Sequence, residues 1–91
     1  MQVRVYATLR DLVNAKAIEL DLREATDVRG LLKQASAAHP ALGAKLWDEQ
    51  DDLNKSIQVL VNGRAINFLS GLETPVDRDD RVDLFPPVGG G

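Results

Sequence analysis

The sequence contains no cysteine, which rules out disulfides, thiolate metal sites and a catalytic thiol. It has one histidine, His39, so neither a histidine-based metal centre nor an imidazole relay can be assembled around a second one. Aromatic residues make up only 4% of the chain, so each of Tyr6, Trp47, Phe68 and Phe85 has to be accounted for individually. There is no excess of positive charge: the net charge of −3 gives no electrostatic basis for binding nucleic acid or an anionic membrane. No apolar run approaches the roughly 18 residues that span a bilayer. Met1 runs directly into a strand pattern and not into a leader, which predicts a cytoplasmic protein. No internal repeat is present.

What is present is enough for one small domain. The chain has 91 residues, 44% of them hydrophobic and 27% charged, the balance of an ordinary globular fold. Residues 2–9 alternate, with Val3, Val5, Ala7 and Leu9 on one face, and predict a half-buried strand. Residues 10–16 are polar enough to predict a turn. In residues 17–22, Ile18, Leu20 and Leu22 alternate with Glu19 and Asp21, so the two strands predict a hairpin.

Thr26 is the expected cap of the main helix, with Asp27 favouring its first turn electrostatically. Val28, Leu31, Leu32 and Ala35 then follow amphipathic spacing, and His39-Pro40 ends the helix. A second helical turn is expected over residues 41–47, followed by a charged loop over 48–55. Ile57 to Val61 reads as a strand, and Asn62-Gly63 is a strong hairpin signal leading into a returning strand over 64–66. Residues 68–76 look irregular and 77–80 form a charged turn. A final strand over 81–85 has Val82 and Leu84 inward. One helix laid on one face of a four- to five-stranded mixed sheet satisfies this order. The predicted class is α+β with a β-grasp arrangement, in which the last strand pairs with the first at the centre. The expected division is a domain over 1–85 and a flexible tail over 86–91.

That tail is Pro86-Pro87-Val88-Gly89-Gly90-Gly91. Its glycines have no side chains to pack and lose the most entropy when ordered. The reactive group it offers is the α-carboxylate of Gly91. Pro86-Pro87 favours an extended polyproline conformation, and at about 3.3 Å per residue the tail reaches about 20 Å.

Three stretches together resemble the ubiquitin-like sulfur carriers typified by the small subunit of molybdopterin synthase and the thiamine-pathway carrier. They are Val3-Arg4-Val5-Tyr6-Ala7-Thr8-Leu9-Arg10, Val59-Leu60-Val61-Asn62-Gly63, and Asp83-Leu84-Phe85-Pro86-Pro87-Val88 with its following glycines. His39-Pro40-Ala41-Leu42 and the charged loop resemble the archaeal-type branch that includes small ubiquitin-like modifiers. The resemblance spans essentially the whole chain. It implies that an E1-like enzyme adenylates the Gly91 carboxylate with ATP and that sulfur transfer then makes a thiocarboxylate. Molybdopterin synthase's large subunit is the first acceptor it suggests, and protein lysines are the acceptors in the modifier branch. It also implies that the chain binds no cofactor and catalyses nothing itself. Gly89 departs from the alanine, serine or threonine common at that position, so the third glycine adds flexibility without being required.

Alternation predicts that Phe85 points away from the core, as Tyr6 and Leu60 do. With the last strand between the first and third, these three form a candidate partner-binding patch beside the tail. The acidic loop Asp48, Glu49, Asp51 and Asp52 lacks calcium-loop spacing and reads as solvated. Ser36, Ser56 and Ser70 have no nucleophile context. No metal site is expected.

Overall fold

The structure is a computed structural model and describes residues 1–86. The predicted tail residues Pro87, Val88, Gly89, Gly90 and Gly91 lie outside the described residues.

The strands are β1 (Gln2–Val5), β2 (Ala17–Glu19), β3 (Thr26–Asp27), β4 (Gln58–Val61), β5 (Arg64–Ala65), β6 (Pro75–Val76) and β7 (Val82–Phe85). The helices are α1 (Thr8–Val13), α2 (Val28–Ala38) and α3 (Pro40–Leu46), with two short 3₁₀ turns between β5 and β6. Five strands form one mixed sheet in the order β2-β1-β7-β4-β5, and β3 pairs with β6 in a separate ribbon. The central strand β7 runs parallel to β1 and antiparallel to β4. The β-grasp expectation is met.

Helix α2 forms because Val28, Leu31, Leu32 and Ala35 make one continuous apolar stripe, and all four are buried. They pack against the inward side chains of the sheet, among them Val3, Val5, Val59, Val82 and Leu84, with Leu42 and Leu46 of α3 closing the same core. Asn62 and Gly63 both have positive φ, 52° and 83°, the geometry a two-residue hairpin turn requires.

Four expectations need correction. The first strand ends at Val5, and the expected polar turn is largely helix α1. Leu9, Leu12 and Val13 have helical i, i+3, i+4 spacing, and Leu9 fits a strand's alternation equally well, so local pattern alone misassigned it. The second strand stops at Glu19, although Leu20 and Leu22 are buried as expected. The helix cap is Asp27 and not Thr26: the Gly30 amide donates to Asp27 Oδ1 at 2.8 Å, while Thr26 pairs with Val76 in the ribbon. A Cβ at position 30 would collide with the Thr26 hydroxyl, so the glycine lets the ribbon approach the helix start closely. Finally, the segment read as irregular contains β6.

Candidate functional site

Val82 and Leu84 of β7 face the helices and are fully buried. Asp83 and Phe85 therefore face the other way, onto the side of the sheet where Gln2, Arg4 and Gln58 are exposed. Strand β7 ends there, at Phe85, and Pro86 is the last described residue.

Tyr6 follows the end of β1 on this open face and stacks on Phe85, with ring centroids 4.3 Å apart and planes within 9° of parallel. Aromatic pairs of this kind contribute about 0.5–1.5 kcal/mol beyond their buried area. The Arg10 guanidinium lies 5.3 Å from the Tyr6 ring centre, and its Nε donates to the Val5 carbonyl at 2.9 Å. Of the predicted patch, Tyr6 and Phe85 are thus in direct contact. Leu60 is on the same face, in register with Asp83, while Gln58 is the cross-strand partner of Phe85. All three are half-buried and do not project freely.

Asp83 was not anticipated. It lies on the open face yet is only 2% exposed. The Tyr6 hydroxyl donates to Oδ1 at 3.0 Å and Arg81 Nε donates to Oδ2 at 3.1 Å. A buried carboxylate missing such partners costs several kcal/mol, so the two donors make its position tenable. The bond from Tyr6 also fixes the ring that stacks on Phe85. Sequence gave little signal for this, since Tyr6 and Asp83 are 77 residues apart.

Ala7 joins Tyr6 to α1 with φ 50° and ψ −129°, a region that favours glycine. This bend brings Arg10 back over Tyr6. Ala7→Gly is therefore expected to be neutral or stabilising in urea denaturation. The usual cost of such a change within a regular element is about 0.5–1 kcal/mol, and a loss of that size would contradict strain at Ala7.

At the far end of β7, the Asn62 side chain clamps the turn before the strand. Its Oδ1 accepts from the Arg81 amide and its Nδ2 donates to Asp80, both at 2.9 Å. Asp80 also accepts from the Asp77 amide, and these bonds, Asn62 first, hold its carboxyl below the ordinary value of 3.8. Because the folded state lowers this pKa, the stabilisation is full above about pH 4 and is lost as pH falls through the folded value. Melting curves of wild type and Asp80→Asn should differ at neutral pH and converge on acidification below pH 4. A constant difference would contradict this clamp.

Three acidic residues of the loop make structural contacts. Asp48 Oδ1 accepts from the Gln50 and Asp52 amides, and Asp51 and Asp52 pair with Lys33 and Arg29 of α2. Ser36 is occupied structurally: its Oγ donates to the Leu32 carbonyl and accepts from Trp47 Nε1. No metal-binding group of histidine, cysteine or carboxylate residues occurs among the described residues. Nor is any helix among them long and apolar enough to cross a membrane.

The fold is that of a ubiquitin-like β-grasp protein with an aromatic stack where the central strand ends. The chain belongs to the ThiS family, whose profile matches residues 3–91. Small archaeal modifier protein 3 of Haloferax volcanii is 33% identical over 91 residues, covering all of this chain and 98% of that protein. A protein of Archaeoglobus fulgidus, provisionally named as a sulfur carrier, is 32% identical over 79 residues, covering 87% of this chain and 89% of its own. The crystal structure of SAMP1 from Haloferax volcanii superimposes with a TM-score of 0.87 at 30% identity, covering 100% of this chain and 98% of that one. These relatives are small carrier and modifier proteins, and the chain is one of that family and not an enzyme.

Proposed function

We propose that the protein is a sulfur carrier whose working group is the carboxylate of Gly91. In the first step this carboxylate attacks the α-phosphorus of ATP on an E1-like enzyme, forming an acyl-adenylate and releasing pyrophosphate. Hydrosulfide, or a sulfur donor equivalent to it, then attacks the glycyl carbonyl. AMP leaves, a proton is released, and a thiocarboxylate remains. ATP is held by the activating enzyme, and this chain contributes the arm and the docking face.

The observation that carries the reading is the end of β7. The central strand delivers Phe85 and Pro86 beside the Tyr6 stack, five residues before Gly91. Pro86 and Pro87 are the stiff base of the arm. Val88 leads into Gly89 and Gly90, which lack Cβ and so avoid clashes in a narrow enzyme channel. Tyr6, Leu60 and Phe85 form the docking patch. The sulfur acceptor we favour is a molybdopterin synthase large subunit, because the Phe85-Pro86-Pro87 ending resembles that synthase's small subunit.

A second reading, favoured by the 33% identity to a modifier protein, joins the same acyl-adenylate to a lysine amine of a target protein, again releasing AMP. The two outcomes share the activation step. The test is intact mass after incubation with the cognate activating enzyme, ATP and sulfide. The sulfur-carrier reading predicts the gain of one oxygen-for-sulfur exchange, and an unchanged mass contradicts it.

A further inference from the structure

The open sheet face has a charge balance opposite to that of the chain as a whole. The protein carries a net charge of −3, with acids gathered in the loop Asp48–Asp52 and the turn Asp77–Asp80. On the open face the acidic strand residues are Glu19 and Asp83, and both are neutralised. The Met1 amine pairs with Glu19 at 3.3 Å and Arg81 with Asp83 at 3.1 Å. Arg10 is fixed by its bond to the Val5 carbonyl.

Arg4 differs from both. It is exposed and sits directly across from Asp83 in the β1–β7 register. The two Asp83 oxygens are already taken by Tyr6 and Arg81, and Arg4 has no ion-pair partner among the described residues. A cation therefore stands beside the aromatic stack with its nearest carboxylate occupied.

We propose that this face docks against a surface of the activating enzyme that carries a carboxylate beside an apolar pocket, with the carboxylate meeting Arg4. The inference rests on the sulfur-carrier reading and names the chemistry of its partner. Docking of Tyr6 and Phe85 into an apolar pocket removes water from the neighbouring Arg4. A guanidinium is weakly hydrated and matches a carboxylate with two parallel hydrogen bonds, so a facing acid offsets that loss, whereas a neutral surface leaves a buried charge unpaired. The buried Asp83 has a part in this: it neutralises Arg81 and holds Tyr6, which leaves Arg4, with Arg10 over the Tyr6 ring, as the cations of this face without a carboxylate partner among the described residues. Of the two, Arg4 alone has no side-chain hydrogen bond there. Complementary charge of this kind sets specificity and association rate.

The test is calorimetric affinity of the full chain for the cognate E1-like enzyme at low and at moderate salt. Arg4→Gln removes the charge without opposing Asp83, and Arg4→Glu reverses it. Arg78→Glu makes the same net change in the exposed turn at the other end of β7. We expect Arg4→Glu to weaken binding about tenfold or more and Arg4→Gln by a smaller factor, both with reduced salt dependence, while Arg78→Glu stays within about twofold. Equal weakening by Arg4→Glu and Arg78→Glu, or no weakening by either Arg4 variant, overturns the proposal and leaves the carrier reading intact. Failure of the wild type to bind the enzyme at all overturns both. Thermal melts of the three variants exclude unfolding as the cause.

Discussion

Deletion of Gly90 and Gly91 is expected to reduce adenylation and sulfur loading to background while leaving the melting temperature unchanged. The new carboxylate, on Gly89, falls short of its former position by about 7 Å of extended chain. Reaction geometry tolerates far less, since a misplacement of about 1 Å can cost about a hundredfold. Among the described residues Leu84 is the last of the hydrophobic core, and Gly90 and Gly91 have no side chain to add to it, so no loss of stability is expected from their removal. Intact mass and thermal denaturation of the same sample separate the two effects. Loading of the shortened chain at the wild-type level would contradict the role of Gly91, whereas an interaction module with an inert tail predicts no loading of either form.

Two adjacent residues of β7 are expected to separate stability from docking. Leu84 is fully buried in the central strand, with Val5 and Val59 as its register partners. Leu84→Ala leaves a cavity on the helix side and should cost about 2–5 kcal/mol. That is a large share of the roughly 5–14 kcal/mol available to a domain of this length. While the protein stays folded, its KM as a substrate of the activating enzyme should move by less than about twofold, because the open face is intact. Phe85→Ala should do the reverse. It loses the stack on Tyr6, worth about 1 kcal/mol of stability, but removes an aromatic anchor from the proposed docking patch. Its KM should rise about tenfold or more. Urea denaturation and steady-state adenylation measure the two quantities on each variant. Parallel effects on both residues would mean that Phe85 acts through the fold and not through docking.

The fold was legible where its causes are local. The Asn62-Gly63 turn needs two positive φ angles and nothing distant, and the stripe from Val28 to Ala35 specifies a helix by spacing alone. The central position of β7 followed from combining the order of elements with one helix to bury. What escaped reading depends on distant partners or on backbone angles. β3 and β6 are two residues each and exist because Thr26 meets Val76, half the chain away. Leu9 satisfies both periods, and Ala7's positive φ, which ends the strand before it, has no signature in an alanine.

The site divides in the same way. Alternation along β7 put Phe85 on the open face, and Tyr6 does stack on it. Leu60 shares the face but registers with Asp83. The burial of Asp83 was invisible, because an aspartate in a strand normally reads as exposed. The donors that make it tenable are Arg81, two residues away, and Tyr6, near the other end of the sequence.

The central claim is that this protein acts through the carboxylate of Gly91. The most direct measurement is fragment-resolved mass spectrometry of the intact protein after reaction with its activating enzyme, ATP and sulfide. The account predicts an oxygen-for-sulfur exchange carried by every fragment containing Gly91 and by no fragment ending before it. A sulfur gain on fragments lacking Gly91, or no gain at all, would contradict it.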